Sequence, residues 1–100
     1  MKLYEIAHCR AGDKGNTSIL SLIAYREEDY ALLVEKVTVA AMQQHLSGIV
    51  AGKITRHEVP GLFALQFVCE EALLTGVTTS LAMDTHGKAL SSALLEMKIT

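Results

Sequence analysis

Residues 8–25 read HCRAGDKGNTSILSLIAY, a polar segment with two glycines followed directly by an apolar segment. In residues 18–25, apolar side chains occupy both sides of a two-residue repeat, which is typical of a central strand buried above and below. Residues 2–8 alternate as well and predict a first strand. Glycine, aspartate and asparagine in residues 10–16 all suit turns. The sequence therefore predicts two strands joined by a polar loop at residues 10–16.

Downstream of this pair, the chain predicts two helices and an edge strand. Residues 30–35 follow a run of acidic residues, which favours a short helix because carboxylates are stabilised near a helix N-terminus. Thr38 is a suitable N-cap for a second helix, with Gly48 or Gly52 ending it. Residues 53–59 alternate but are mostly polar, which indicates a strand near a sheet edge.

The last third of the chain predicts a helix, a strand and a helix. Residues 62–74 form the most apolar segment, with only a narrow polar strip, and predict the central core helix. Residues 77–83 alternate and predict a fourth strand, and a last helix is expected over residues 87–97. This order of elements favours an α+β fold in which about four mostly antiparallel strands carry helices on one face.

Length and composition limit the class of protein. A chain of 100 residues can bury one core, so residues 1–100 are expected to form a single domain. The net charge is −2 and no segment concentrates Lys or Arg, so no nucleic-acid partner is expected. Apolar runs end well before the ~18 residues of a membrane helix, and Glu5 argues against a signal peptide, so we expect a cytoplasmic protein without membrane contact. Because 50% of the residues are hydrophobic, a homo-oligomer interface is expected to bury part of the apolar surface.

The sequence predicts neither a metal site nor a bound cofactor. Cys9 and Cys69 are far apart, and a reducing compartment favours two unpaired thiols, one of them in the core, over a disulfide. Neither cysteine belongs to a Cys-x-x-Cys pair. No histidine lies at i,i+4 spacing from another histidine or a cysteine; the histidines are His8, His45, His57 and His86.

The predicted loop at residues 10–16 is the first candidate site. It combines charged and amide side chains with two glycines: Arg10, Gly12, Asp13, Lys14, Gly15 and Asn16. Successive backbone N–H groups in such a turn form an anion-binding nest, and Lys14 and Arg10 would add positive charge for a phosphate or carboxylate. Alternatively, the segment is a tight polar hairpin loop whose side chains bond their own backbone. It lacks the spacing of a nucleotide-binding phosphate loop and precedes a strand rather than a helix, which argues against NTP hydrolysis.

A second polar cluster lies before the last predicted helix. Asp84, Gly87 and Lys88 fall where exposed helix N–H groups favour anions. Alternatively, Asp84 is a helix-entry residue and Lys88 a solvated charge. If residues 84–88 meet the 10–16 loop at one end of the sheet, the charged groups would perturb each other's pKa values.

His8 and Cys9 directly precede the first cluster. His8 is the candidate general base, and the alternative is a hydrogen-bonded strand histidine without a chemical role. Cys9 lies beside Arg10, which is expected to lower the pKa of its thiol, although nothing in the sequence indicates a base that would activate it as a nucleophile.

Three ordered motifs are spread along the chain: IAHCRAGDKGN at residues 6–16, PGLFALQFV at residues 60–68 and SLAMDTHGKAL at residues 80–90. Together they resemble the small domain of AtuA-like proteins, a family associated with acyclic terpene utilisation. In that family the domain follows a large domain or is encoded as a separate short protein.

The resemblance implies a ferredoxin-like α+β fold and a partnership with an AtuA-like large domain or subunit, in pathways that degrade branched acyl-CoA compounds. The family usually has Asn where this chain has Gln66, and the longer amide would reach a different point. Carried over by position, the family's polar residues fall on His8, Arg10, Gly12, Asp13, Lys14, Gly15, Asn16, Asp84, Gly87 and Lys88.

The sequence favours two classes of function over a third. In the first class, the chain is expected to be an accessory subunit of a heteromeric acyl-CoA or carboxylate enzyme, which binds an anionic group at residues 10–16 and 84–88. Alternatively, it is a non-catalytic interaction or ligand-binding domain that forms a homo-oligomer. The third class, a standalone enzyme, is the least favoured, because a chain of this size rarely encloses a substrate without an interface between copies.

Overall fold

In the computed structural model, which describes residues 1–72 and 87–99, a four-stranded antiparallel sheet forms the centre of the molecule. The strand order is β1-β2-β4-β3, so β2 and β4 lie in the middle and β1 and β3 at the edges. The strands are β1 (Ala7–Lys14), β2 (Thr17–Ala24), β3 (Ile54–Val59) and β4 (Ala64–Cys69).

Three described helices pack on one face of this sheet: α1 (Glu27–Lys36), α2 (Val39–His45) and α3 (Gly87–Leu95). Thr38 is the N-cap of α2, where its side chain accepts a hydrogen bond from the backbone N–H of Ala41 at 3.1 Å. None of the described helices is long and apolar enough to span a membrane.

The core lies between the sheet and the helices. Burial alternates strictly along β2: Leu20 and Leu22 are fully buried, and Ser21 between them is only half-buried. On β4, Phe67 lies opposite Leu20, and it is also fully buried. The helices cover these side chains with Leu33, Met42 and Leu94, each fully buried. One face of the sheet is therefore the floor of the core.

The prediction of a core helix over residues 62–74 is wrong, since Leu62 ends a 3-10 helix, Pro60–Leu62, and the strand Ala64–Cys69 follows. Leu65, Phe67 and Cys69 point into the core, whereas Gln66 and Val68 are half-buried on the other face. A middle strand has apolar groups on both faces, and such a short run has the composition of a buried helix. Pairing with β2 and β3 decides between the two.

The beginning of the chain also differs from the prediction. Residues 2–8 are not a strand, because Leu3–Glu5 forms a 3-10 helix and β1 starts only at Ala7. The strand then continues through Lys14, so the predicted loop at residues 10–16 shrinks to a two-residue turn, Gly15-Asn16. Polar residues and a glycine are tolerated here because β1 lies at an edge of the sheet.

Gly15 makes the tight turn possible. Its φ is +64° while Asn16 does not have a positive φ, as expected for a type II′ hairpin turn with glycine at its first central position.

Gly52 does not end a helix, as was predicted, but lies against the end of β4: a Cβ there would lie 2.6 Å from the carbonyl oxygen of Glu70. Glycine at this position allows the segment before β3 to approach the end of β4.

Several other predictions are confirmed. β2 is a middle strand and β3 an edge strand, Thr38 caps α2, and the last helix ends at Leu95, two residues earlier than expected. The first helix is longer than residues 30–35, covering Glu27–Lys36. The predicted strand at residues 77–83 lies outside the described residues.

The two ends of the described chain meet. Lys2 and Lys98 form an antiparallel bridge, and the backbone N–H of Ile99 donates to the carbonyl of Met1 at 3.0 Å. The N–H of Leu3 likewise donates to the carbonyl of Met97 at 2.8 Å. These contacts fix the end of α3 beside the start of β1.

Candidate functional site

The strand β1 divides the first predicted cluster between two sides of the sheet. Side chains alternate along a strand, so Arg10, Gly12 and Lys14 share one side while Asp13 points to the other, where the helices pack. Arg10 and Lys14 are both exposed and lie about 14 Å apart along the strand at ~3.4 Å per residue. The structure thus brings the two cations onto one face and separates them from Asp13.

The side of the sheet away from the described helices is here called the open face. Register assigns it these residues: His8, Arg10, Gly12 and Lys14 on β1; Thr17, Ile19, Ser21 and Ile23 on β2; Ala64, Gln66 and Val68 on β4; Thr55, His57 and Val59 on β3. The carboxylates of the strands, Asp13 and Glu58, belong to the opposite side. Among the strand residues that the structure describes, the open face therefore carries positive charge and no acidic side chain.

The prediction of a backbone anion nest is wrong for this segment. Gly12 lies within the β1–β2 ladder opposite Ile19, and Lys14 lies opposite Thr17. Amide groups in an antiparallel ladder lie in the plane of the sheet and cannot converge on a ligand above it. Recognition of an anion on this face would depend on side chains.

A row of polar side chains crosses the open face at Arg10. Arg10 lies opposite Ser21, which lies opposite Gln66, which in turn lies opposite His57. Directly opposite Cβ atoms are about 5 Å apart, so neighbours in this row are within reach of a single small group. The row offers a guanidinium, a hydroxyl, an amide and an imidazole, all of which can donate hydrogen bonds.

Sequence reasoning missed this row because its members lie far apart in the chain. Ser21, Gln66 and His57 come from three different strands, and Gln66 was assigned to a helix. The available signal in the sequence was the polar Gln66 between Leu65 and Phe67, an alternation that a strand would divide between two faces.

His8 starts the open face of β1 and contacts an aromatic ring. Its imidazole stacks on Tyr25, with ring centroids 5.2 Å apart and an interplanar angle of 29°. The Nδ1 atom is buried and has no hydrogen-bond partner among the described residues. The hydrogen-bonded alternative is thus not seen at Nδ1, and the role of His8 as a general base stays a prediction.

The expectation of a low thiol pKa at Cys9 is wrong. Burial, and to a smaller extent repulsion from the Cys69 thiolate, raises the pKa of Cys9 to about 12. Burial also raises the pKa of Cys69 to about 11. The side chain of Cys9 points towards the helices, whereas Arg10 points to the open face. Both thiols are unpaired, with Cys69 in the core, as predicted.

Only part of the second predicted cluster, residues 84–88, lies within the described residues. Asp84 lies outside the described residues, and the side chain of Lys88 lies outside them as well. Gly87 is the first residue of α3. Whether the residue 84–88 cluster meets β1 therefore stays a prediction.

A cleft elsewhere in the molecule was not predicted. It lies between the helix pair and the C-terminal segment, has a volume of about 360 Å³, and is flanked by Lys36 and Lys98. His45 lines it and is held by a 2.7 Å hydrogen bond from its Nε2 to the carbonyl of Ala93. No cluster of three or more potential metal-ligating side chains occurs in the described parts of the chain.

The fold and this face define a small α+β domain with an antiparallel sheet, described helices on one side and a basic surface on the other. The model of the AtuA ferredoxin-like domain family matches residues 1–100, and the chain belongs to that family. The predicted resemblance and the ferredoxin-like α+β fold are thereby confirmed, and an AtuA-related role follows. No match to this chain was found among curated proteins, nor among solved structures.

Proposed function

We propose that this protein is an accessory domain of an AtuA-like enzyme system in branched or terpenoid acyl-CoA catabolism, and that it binds an anionic group on its open face. Arg10 and Lys14 supply the charge, and Ser21 and Gln66 supply neutral hydrogen-bond donors beside Arg10. The observation that carries the proposal is the presence of two exposed cations on one face, with no acidic neighbour among the described strand residues of that face.

The electrostatics of the face support this role. Neither Arg10 nor Lys14 has an ion-pair partner among the described residues, whereas Lys2, Arg26 and Arg56 each have one. An exposed ion pair contributes only about 0.2–1 kcal/mol, so a single cation would hold an anion weakly. Two cations and the polar row acting on a multivalent anion would bind it more strongly, and screening would weaken the affinity as salt rises.

Calorimetry with inorganic pyrophosphate tests the anion site. Replacing both cations, Arg10→Gln with Lys14→Gln, is expected to abolish measurable binding, and each single change to weaken it. Lys36→Gln is the matched control, because it removes an exposed lysine at the cleft on the other side of the molecule. Loss of binding in the control, or unchanged binding in the double variant, would refute the proposal.

The partner is a separate part of the proposal. If the chain accompanies a large domain, purification of the tagged chain from its native host is expected to recover an AtuA-like large domain or subunit with it. If no such protein is recovered under low-salt and cross-linking conditions, the accessory role is refuted while the anion site is still open to test by calorimetry.

A second candidate function is a non-catalytic homo-oligomer. β1 is eight residues long and lies at an edge of the sheet formed by the described strands, and such an edge can pair with another chain. Arg10 and Lys14 are charges of the kind that discourage edge pairing. Sedimentation of the wild type and of the double variant distinguishes the two: an oligomer that persists and strengthens when the charges are removed favours assembly over anion binding.

A further inference from the structure

We propose that the anion held on the open face belongs to a nucleoside phosphate, whose flat base stacks on Tyr25. This inference rests on the proposed anion site and names the class of its ligand. It begins from Tyr25, which is not one of the predicted site residues.

Tyr25 is unusually exposed for an aromatic residue, at 61% of its surface. It directly follows β2, and its ring is held against His8 by the stacked contact at 5.2 Å. A ring that is both exposed and fixed in orientation loses little conformational freedom when it binds a second flat group. Stacking on an aromatic side chain recognises any base, because every base has a π face.

Charge lies next to this ring on the same face. His8 and Arg10 are two positions apart on β1, about 7 Å at ~3.4 Å per residue. Their side chains point to the same side, so the stacked ring pair and the guanidinium are neighbours. A nucleoside phosphate has the same two elements close together, a flat base and an anionic group.

The surface beyond Arg10 has room for further phosphate oxygens. Gly12 is the next residue on the open face, and no atom of the described residues lies within 4 Å of the position that a Cβ would take there. A ligand can therefore approach the backbone at this point, and Lys14 lies past the gap on the same face. Along β1 the order is aromatic ring, cation, open backbone and cation.

This order favours an extended ligand with one aromatic end over a small inorganic anion. Inorganic phosphate would use Arg10 with Ser21 and Gln66 and would leave Tyr25 without a role. An apolar ligand would use Tyr25 and would leave the exposed cations unpaired. A nucleoside diphosphate uses both features, so it is the class that the arrangement fits best.

The test compares ADP with inorganic pyrophosphate by calorimetry on the full chain. ADP is expected to bind at least about ten-fold more tightly, because stacking of one base has an effect of that order. Tyr25→Leu keeps an apolar side chain but removes the ring, so it should remove the ADP advantage and leave the pyrophosphate affinity unchanged. Tyr25→Phe should retain the advantage. Tyr4→Leu is the matched control, since Tyr4 is an exposed tyrosine, at 49%, on the 3-10 helix before β1.

The outcomes separate this inference from the proposed function. Equal affinities for ADP and pyrophosphate, or an ADP advantage that survives Tyr25→Leu, overturn the nucleoside inference and leave the anion site standing. Failure of both ligands to bind overturns the anion site and this inference together. Circular dichroism and melting of each variant show whether its fold is intact, and Tyr25→Phe provides the comparison if Tyr25→Leu does not fold.

Discussion

Replacing Arg56 should weaken the attachment of α1 to the sheet. Arg56 lies on the edge strand β3 but points towards the helices, and its side chain is only 19% exposed. Its Nη1 donates to the carbonyl oxygens of Val34 and Val37 at 2.9 and 3.0 Å. The last carbonyls of a helix have no partners within it, so this guanidinium satisfies groups that the end of α1 leaves open.

The structure gives the expected size of the effect. A hydrogen bond that involves a charged group contributes about 1.5–3 kcal/mol, and here one nitrogen serves two acceptors in a partly exposed position. We therefore expect Arg56→Ala to lower the free energy of unfolding by about 2–3 kcal/mol. For a domain of this size that corresponds to a Tm lower by roughly 10–20 °C.

Urea unfolding followed by circular dichroism measures the change. Arg56→Lys keeps the charge, but its shorter side chain ends before the position of Nη1 and has no second nitrogen for Glu58, so an intermediate loss is expected. Glu58→Gln is the control, because Glu58 is 52% exposed and contacts Arg56 only through a surface ion pair at 3.2 Å. If Arg56→Ala costs no more than Glu58→Gln, the capping interpretation is wrong.

Three further predictions concern glycines and thiols. Gly52→Ala should lower the free energy of unfolding by about 2 kcal/mol or more, because the new Cβ meets the Glu70 carbonyl at 2.6 Å. Gly15→Ala should lower the free energy of unfolding by only about 1–2 kcal/mol, since no atom of the described residues lies within 4 Å of the new Cβ and the strain comes from its φ of +64°. Urea midpoints in the reverse order would contradict both predictions. Both thiols have a higher pKa in the folded state than the ordinary value of 9.0, so deprotonation favours the unfolded state. The free energy of unfolding should therefore fall as pH rises from 9.0 towards about 12 for Cys9 and about 11 for Cys69. An equal fall in a variant with both cysteines changed to alanine would show that other groups cause it.

The sequence predicts an element well where its position in the sheet shapes its composition. β2 has apolar residues on both sides because it lies between two strands, and β3 is mostly polar because it lies at an edge. Thr38 is recognisable as an N-cap because the capping hydrogen bond involves only its immediate neighbours. These features are determined by residues that are close together in the chain.

The elements that were wrong depend on pairing between distant segments. Ala64–Cys69 is apolar enough for a helix, and only its ladders with β2 and β3 make it a strand. Arg10, Gly12 and Lys14 have the composition of a loop, and the edge position of β1 allows them in a strand.

In the candidate site, too, the residues close together in the chain were predicted and those brought together by strand pairing were not. The sequence identified Arg10 and Lys14, which lie close together in the chain, but it grouped them with Asp13. The strand places Asp13 on the opposite side, because alternation separates neighbours. Ser21 and Gln66 join Arg10 only through the register of the sheet, which a single sequence does not reveal.

The contact between the two ends of the described chain has a consequence for how this fold can be rearranged. Because Met1 and Ile99 are joined by a backbone hydrogen bond of 3.0 Å, a short peptide linker could close the backbone into a ring without moving either end. Such a ring could be opened at the exposed turn around Gly61 to give a circular permutant with the same sheet order. For the same reason, a domain fused to either end would leave the surface from one common point, beside the start of β1.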